Sequence, residues 1–398
     1  MDYEEFKKRG STAISEMKRF SAKEVFLIHH DDADGLCSAA IVKAAAERKG
    51  YDVKTICLEK AYPEVVKSIH KDKGKIIIYA DIGSAHADFI SKCNRSRNLA
   101  IILDHHNPRL GKDPKVYDLN LEYFGFRGET DFSGSTCCYL FSTLLNEQNR
   151  DLSYLAVVGS CEIPGELTGL NKLVLEDASK NGLVQIEEKK IRITKIGIEA
   201  RNLFSKLQIL GAVGYYEGGP DVAIKTCLEG VSRETEQKIK ELEQRRKSVN
   251  NRLLAILYRA RLKETDHIQW FDAGDMYKGM GSKVIGQFCS LLSYQKRLIK
   301  PDKYIVGMMN LQNEIPDWGK LKGELAKVSA RVPEEMKTLI DQRKTLSVVD
   351  LLVRSSEGFG IADGHEYAAN VVLPRDRKID FIKNAELISS SSVSGGLT

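Results

Sequence analysis

Residues 25–35 read VFLIHHDDADG, an apolar run followed at once by imidazole and carboxylate side chains. The same pattern occurs twice more, because Asp81 follows the apolar run 76–79 and the residues DHH at 104–106 follow the run 99–103. Short apolar runs of this kind are typical of buried strands, and open α/β sheets place their sites at the carboxyl ends of such strands. We therefore expect the three polar clusters to meet at one edge of a parallel sheet.

The length and the order of segments predict more than one domain. The chain has 398 residues, more than a single hydrophobic core usually contains, and 42% of them are hydrophobic. Strand-like runs alternate with helix-like segments such as 36–48 and 63–70, as in βαβ units. We predict an α/β protein with a parallel-sheet catalytic domain, a connector containing a long helix, a smaller α/β domain and a disordered tail. Their expected ranges are 1–210, 211–265, 266–388 and 389–398.

Charge and cysteine content give weaker constraints. The net charge of +5 permits an acidic partner such as nucleic acid without requiring one. The eight cysteines form no CxxC pair, so we interpret them as buried thiols of a reducing compartment. No apolar stretch reaches the roughly 20 residues of a membrane span, and the N-terminus lacks the apolar core of a signal peptide. We therefore expect a cytoplasmic protein without a membrane partner.

The connector contains a basic, amphipathic helix pattern. Ser232 can cap a helix whose apolar positions fall mostly three, four or seven residues apart. Those positions are Ile239, Leu242, Val249, Leu253 and Ile256. Its many basic residues could form a solvent-exposed face, partly balanced by Glu241 and Glu243, or a surface that binds nucleic acid. The solvent-exposed face is the simpler interpretation.

The polar clusters offer the ligands of a divalent metal site. Carboxylates suit Mn²⁺ and Mg²⁺, and added imidazoles favour Mn²⁺. His30, Asp32 and Asp34 are spaced by two, so their side chains can converge on one side of a loop, with Gly35 permitting the turn into the next helix. With Asp81 as a bridge and His105 on the second ion, the clusters predict a two-metal centre for phosphoester hydrolysis. Any single cluster could instead be solvated or cap a turn, but three clusters with the same ligand chemistry argue against coincidence.

These motifs resemble a known family. The HxDxDG element at 30–35, the lone Asp81 and the DHH element at 104–106 are similar to motifs of the DHH phosphoesterase superfamily, and residues 120–136 resemble the stretch that follows them. The resemblance implies two ligand sets: His30, Asp32 and Asp81 for one ion, and Asp34, Asp81 and His105 for the other. It also implies that His106 faces the scissile phosphate, that Asp104 supports the histidines and that Ser135 binds substrate.

One position departs from the family pattern. A fourth motif usually supplies another metal-binding aspartate, but residues 155–165 contain none. Glu162 could reach the metal with its longer side chain, water could fill the gap, or Glu162 could cap the next turn. The departure puts metal affinity in question at this position.

The second domain resembles the DHHA1 domain that accompanies many DHH domains. Residues 327–331, ending in Arg331, resemble its SxR strand, and residues 364–370, beginning Gly364-His365, resemble its glycine-rich loop. The resemblance implies that Arg331, Gly364 and His365 bind a substrate phosphate. The alternative makes Arg331 a surface ion-pair residue and His365 a turn residue, and Asn370 stands where the loop usually has a glycine.

By length and motif style the chain is most similar to archaeal RecJ-like nucleases. This implies a manganese-dependent exonuclease with two ions, for which Mg²⁺ or Co²⁺ could substitute. The expected substrate is single-stranded DNA or RNA, with a helicase or replication factor as a partner in DNA replication or repair. Two alternatives stay open: a phosphodiesterase for short oligonucleotides or nucleotide phosphates, and a catalytically inactive scaffold in a helicase complex.

Overall fold

The chain folds into two units, which are described separately. The computed structural model describes residues 1–188 and 190–394. One unit comprises Met1–Lys240 with Ile315–Gly319, and the other comprises Glu241–Glu314 with the residues from Lys320 onward. The boundary at residues 240 and 241 lies within the segment 211–265 that the sequence designates as the connector.

A five-stranded, wholly parallel sheet forms the centre of the first unit. Its spatial order is β2-β1-β3-β4-β5. The strands are β1 (Glu24–His30), β2 (Asp52–Leu58), β3 (Ile76–Ala80), β4 (Leu99–Leu103) and β5 (Val116–Asp118). Every residue of β3 and β4 is buried, as expected for strands covered on both faces. The α/β prediction and the parallel sheet are therefore confirmed.

Helices connect and cover these strands. The first seven are α1 (Tyr3–Arg19), α2 (Ala33–Glu47), α3 (Pro63–Ile69), α4 (Ala87–Asn94), α5 (Gly134–Leu145), α6 (Ser153–Gly159) and α7 (Gly169–Lys180). Helix α2 is buried over most of its length because the sheet lies on one side and α5, α6 and α9 (defined below) lie on the other. Its N-terminal turn immediately follows β1, so the first polar cluster is fixed between two buried elements.

A smaller substructure completes the first unit. Its strands are β6 (Val184–Glu187), β7 (Lys190–Ile193) and β8 (Ile198–Glu199), and its helices are α8 (Ala200–Gln208) and α9 (Gly219–Glu229). The strands β6 and β7 pair in antiparallel fashion, and Lys189 lies outside the described residues. A π-helical turn at Ile209–Val213 follows α8 and packs against the first polar loop, because a Cβ on Gly211 would lie 1.9 Å from the Asp31 carbonyl oxygen.

The long predicted helix is α10 (Arg233–Ala260). The Ser232 hydroxyl accepts a hydrogen bond from the Thr235 amide, which confirms the predicted cap. Ile239, Leu242 and Leu253 are buried as expected, but Ile256 is 45% exposed and Leu257 is buried in its place. The apolar stripe therefore shifts by one residue near the C-terminus of the helix.

A mixed sheet forms the second unit, with spatial order β15-β16-β14-β11-β10-β9. The elements of this unit are β9 (Lys263–Glu264), β10 (Ile268–Asp272), α11 (Lys283–Ser293), β11 (Tyr304–Asn310), β14 (Leu325–Arg331), α12 (Glu334–Asp341), α13 (Val348–Ser355), β15 (Ile361–Gly364), β16 (Ala368–Pro374) and α14 (Lys378–Ser394). The short strands β12 (Glu314–Ile315) and β13 (Gly319–Lys320) form a separate two-stranded ribbon, whose residues are divided between the two units. Only β10 and β11 pair in parallel, and the other neighbours are antiparallel.

The C-terminal prediction needs a correction. We expected a disordered tail from residue 389, but α14 continues to Ser394, and Ser389 is buried in it. Hydroxyls of this Ser-rich stretch bond to carbonyls one turn earlier, as Ser390 does to Glu386, which satisfies them within the helix. Residues 395–398 of the expected tail lie outside the described residues. Among the described helices, none is both long and apolar enough to span a membrane.

Candidate metal centre

The first polar cluster is fixed where β1 ends and α2 begins. Asp32 is the N-cap of α2, and its carboxylate accepts a hydrogen bond from the Gly35 amide at 2.9 Å. His30 Nδ1 lies 2.9 Å from Asp32 Oδ2 and 3.4 Å from Asp81 Oδ2. Gly35 is needed for close packing, since a Cβ there would lie 2.5 Å from the Cβ of His30. One short turn therefore aims an imidazole and a carboxylate at the end of β3.

Asp81 occupies that position, directly after β3. Its backbone is left-handed (φ 61°), a conformation that aspartate and asparagine tolerate better than most residues. Both carboxylate oxygens are buried, and among the described residues neither accepts a hydrogen bond. Burial, followed by the nearby carboxylates of Asp34 and Asp32, raises the pKa of Asp81 well above its ordinary value. The ionised form of Asp81 is therefore disfavoured here unless a cation binds beside it.

The DHH element follows β4 and holds its own histidines in place. Asp104 is buried and accepts hydrogen bonds from the amides of Ser84 and His105 and from His106 Nδ1, the last at 2.7 Å. Burial works against ionisation of Asp104, but the His106 imidazole holds its pKa well below the ordinary range. In return, the Asp104 carboxylate overcomes the effect of burial and raises the pKa of His106, whose side chain is 42% exposed.

His105 is oriented by a different bond. Its Nδ1 lies 2.9 Å from the carbonyl oxygen of Gly128, and since a carbonyl only accepts, Nδ1 carries the proton. Burial, and then the neighbouring His106, lower the pKa of His105. A neutral imidazole with its Nε2 lone pair available is the form that ligates metals, and Nε2 lies 3.5 Å from Asp81 Oδ1.

Helix α5 supports Asp34 from the opposite side. The amides of Gly134 and Ser135 donate to the two carboxylate oxygens of Asp34 at 2.7 and 3.0 Å. A Cβ on Gly134 would lie 2.2 Å from Asp81 Oδ1, and one on Gly159 would lie 2.2 Å from Asp34 Oδ1. The sequence analysis did not identify these two glycines, and only their lack of a side chain lets the helices approach the carboxylates so closely.

Ser135 is placed differently from its expected role. It is fully buried, and its hydroxyl lies 3.3 Å from the Ala156 carbonyl oxygen and 2.9 Å from the Ser133 hydroxyl. In this structure its amide positions Asp34. Substrate binding by its hydroxyl stays a prediction.

The predicted ligands converge into overlapping groups. Within each group, the candidate ligand atoms all lie within 4.8 Å of one another. The groups are His30, Asp32 and Asp81; Asp81, His105 and His106; and Asp34, His105 and Glu162. The predicted first ligand set is thus brought together as it stands. Glu162 lies in the short 3₁₀ turn Ser160–Glu162, within the segment 155–165 that contains no aspartate. A carboxylate oxygen of Glu162 comes close to ligand atoms of Asp34 and His105.

The donor set fits divalent cations. Four carboxylates and three imidazoles meet at one sheet edge, two of the carboxylate oxygens lack hydrogen bonds, and the glycines leave room beside them. Oxygen-rich sites with some imidazole suit hard to intermediate divalent ions. The cluster can therefore hold metal, with Asp81 common to two of the groups.

The predicted phosphate-binding residues lie in the second unit. Arg331 ends β14, where its Nε donates to the Ser290 hydroxyl at 3.0 Å and an Nη donates to the Ala330 carbonyl at 2.8 Å. Burial lowers the pKa of Arg331. Gly364 ends β15 with φ 142°, a conformation that favours glycine, and it pairs with Ala369 of β16, while His365 is exposed in the following turn. Since Arg331 pairs with Ala368, all three lie at the same end of adjacent strands.

Residues 24–160 match the model of the DHH family, N-terminal domain. Residues 24–160 form a DHH domain. This match and the fold support the resemblance of the chain to the DHH phosphoesterase superfamily, whose members are metal-dependent hydrolases. The resemblance stated from the motifs is thus confirmed at the level of the superfamily. None of the curated proteins matches the sequence.

Several solved structures share the fold of this DHH protein. Exonuclease RecJ bound to manganese is 16% identical with a TM-score of 0.63, over 96% of this chain and 94% of that one. RecJ from Thermus thermophilus in complex with Mn²⁺ is 16% identical with a TM-score of 0.64, but this chain spans only 55% of it. CDC45 from Entamoeba histolytica is 9% identical with a TM-score of 0.54, over 96% of this chain and 99% of that one. At such identities the likeness shows a common fold.

Proposed function

We propose that this protein is a manganese-dependent exonuclease that hydrolyses phosphodiester bonds from an end of single-stranded DNA or RNA. The DHH domain and the ligand cluster support a metal-dependent phosphoesterase. The finer proposal is supported by the fold shared with a RecJ exonuclease structure that contains manganese. Magnesium or cobalt would be substitutes. A cytoplasmic location, and action beside a helicase or another replication factor, belong to the same proposal and rest on sequence features and the family resemblance.

The observation that carries the proposal is the buried, unpaired carboxylate of Asp81. A charge in this position is costly unless cations neutralise it, and Asp81 is a member of two of the three groups of candidate ligands. His30 and Asp32 would share one ion with Asp81, and Asp34 and His105 the other. When bound, two such ions supply Lewis acidity and a nucleophile for in-line phosphoester hydrolysis.

The chain's own side chains provide the remaining chemistry. Asp104 holds His106 through Nδ1, so the second ring nitrogen is the one available to the substrate. With its pKa raised by Asp104, His106 is favoured in the protonated form, which can bind a phosphate oxygen and hold a proton near the leaving oxygen. The amides at the start of α5 keep Asp34 fixed while this occurs.

The inactive-scaffold alternative is favoured by one observation, the common fold with CDC45 from Entamoeba histolytica. Against it stands the cluster itself, since all the predicted ligands of the first three motifs are present and converge. Glu162 also lies within reach of the position that the fourth motif leaves without aspartate. We therefore prefer the enzyme.

The test is a manganese titration of product release from labelled DNA and RNA strands, long and very short, with Asp81→Asn alongside. We expect mononucleotides from long strands, no product from Asp81→Asn, and normal product from Asp177→Asn. Asp177 pairs with Tyr139 and Arg150 outside the cluster, so it is a matched control for loss of a carboxylate. Cleavage of short oligonucleotides alone would replace the exonuclease with the small-substrate enzyme, and intact strands throughout would favour the scaffold.

A further inference from the structure

Two segments of the second unit carry cations and no carboxylates. Residues 244–263 contain seven lysines and arginines, and residues 276–301 contain five, without one aspartate or glutamate in either segment. Because the whole chain has 60 basic and 55 acidic residues, two such segments depart strongly from its average. A uniform sign of charge over a surface attracts polyanions.

The two segments lie side by side in the fold. The first is the C-terminal part of α10 with the residues after it, and the second contains α11. Arg246 donates to Gln287 at 2.9 Å, Tyr258 donates to Gln295 at 3.0 Å, and Arg261 donates to the carbonyl of Arg297 at 3.0 Å. These contacts run in the same order along both segments, so the two segments lie alongside each other over this length.

Aromatic and aliphatic side chains are exposed among these cations. Tyr294, the C-cap of α11, is 79% exposed, and Tyr258 is 41% exposed. Ile256 and Leu291 are also exposed, and Ile256 is the residue that the helical pattern had assigned to the buried face. Tyrosine rings left in solvent contribute little to the core, which suggests that they have a binding role.

Some nearby cations already have acidic or aromatic partners. Lys300 and Lys303 bind Glu264, and Lys263 lies over the ring of Trp270. By contrast, no carboxylate of the described residues pairs with Arg259, Lys296 or Arg297, and all three are exposed. These cations are available for an external anion.

We propose that Tyr258, Arg259, Tyr294, Lys296 and Arg297, here named the Tyr258–Tyr294 surface, bind single-stranded nucleic acid. A single strand needs cations for its phosphates and flat rings on which its unpaired bases stack, and this surface presents both. A duplex hides the faces of its bases, and an acidic peptide has no need of two exposed tyrosines. The inference rests on the proposed function, because it adds a strand-binding surface to an enzyme that acts on strands.

Binding should be measured without metal, so that it does not depend on catalysis. Fluorescence anisotropy of a labelled 20-nucleotide strand, DNA and RNA in turn, in EDTA and at several salt concentrations, gives Kd and its salt dependence. Tyr294→Ala should weaken binding about tenfold by removing one stacking platform. Arg259→Gln with Arg297→Gln should make the slope of log K against log salt shallower by about 1.4 for a single strand. Lys71→Gln with Lys73→Gln, exposed cations of the first unit, is the matched control and should leave the Kd unchanged.

The outcomes separate this inference from the proposed function. Unchanged Kd and salt slope in the surface variants would overturn the surface, whether or not the protein cleaves strands. The inference would also be overturned if the protein bound duplex and single strand with equal affinity and Tyr294→Ala did not change the Kd, because stacking would then play no part. Weaker binding by the variants would support the surface even if no cleavage were found. With an active enzyme, the same variants should slow cleavage of long strands at strand concentrations below the Kd.

Discussion

Replacing Asp81 with asparagine should stabilise the metal-free protein and remove its stabilisation by manganese. The carboxylate is buried without a hydrogen bond, and burial, then the Asp34 and Asp32 carboxylates, raise its pKa well above 3.8. At neutral pH, the metal-free folded protein must therefore either bury this charge or bind a proton that the unfolded chain does not bind, and both cost stability. Asparagine keeps the shape and tolerates φ 61°, whereas alanine would add backbone strain.

The size of the effect follows from the pKa. Each unit by which the pKa of Asp81 is raised corresponds to about 1.4 kcal/mol of stability lost at neutral pH, and Asp81→Asn should recover this loss. For a folded domain of this size, a gain of about 1.4 kcal/mol corresponds to a Tm increase of about 3 °C. Because the folded state binds the proton more tightly, the stability of the metal-free wild type declines as pH rises above 3.8, and the advantage of the variant disappears towards that pH. Manganese at 100 times its Kd should stabilise the wild type by about 2.7 kcal/mol and Asp81→Asn far less.

Thermal unfolding followed by circular dichroism, in EDTA and in manganese, measures both effects. Manganese should raise the Tm of Asp177→Asn by as much as that of the wild type, because the Asp177 carboxylate lies outside the cluster. A lower Tm of Asp81→Asn than of wild type in EDTA would refute the electrostatic reasoning. An equal Tm increase by manganese in both proteins would show that Asp81 is not a ligand.

Three further changes test other parts of the structure. Gly134→Ala should weaken manganese binding at least tenfold, measured by calorimetry, since its Cβ would lie 2.2 Å from Asp81 Oδ1; unchanged affinity would contradict the close packing of α5. Glu162→Gln should raise the manganese Kd several-fold while the Tm in EDTA stays within 2 °C, roughly the effect of a neutral surface change; an unaltered Kd would remove Glu162 as a ligand. Glu386→Gln should cost about 1–2 kcal/mol at neutral pH once solvent screening is allowed for, because hydrogen bonds from His267 and Thr265 outweigh burial and hold the pKa of Glu386 at about 2. That stability is present above pH 4.5 and is lost as pH falls towards 2, so denaturant titrations at pH 7 and pH 3 should differ less for the variant than for wild type.

The main features of the fold and of the ligand cluster could be predicted from sequence because they depend on local patterns. Apolar runs of four or five residues predicted the strands, and polar residues at their ends predicted where side chains would converge. In a parallel sheet, those ends lie at one edge, so His30, Asp81 and His105 could be placed together without any tertiary information.

Features that depend on close approach between distant segments could not be predicted. Gly159 belongs to a helix with no unusual backbone angle, and only its contact with Asp34 shows why a side chain is excluded. The exposure of Ile256 likewise depends on which face of α10 its neighbours cover, and a helical period alone fixes that face only to within a residue. The role of the Ser135 amide is also invisible, because every residue but proline has one.

The spread of the ligands along the chain has a consequence for folding kinetics. The side chains that could share metal range from His30 to Glu162, and they meet only when β1, β3 and β4 have paired and α5 has docked. Parallel pairing of strands so distant in sequence is slow, and the complete cluster requires almost all of it. Metal cannot then assist the early steps of folding, since a partial set of ligands binds weakly. Manganese should instead leave the refolding rate nearly unchanged and slow unfolding, so that the ion extends the lifetime of a protein that has already folded.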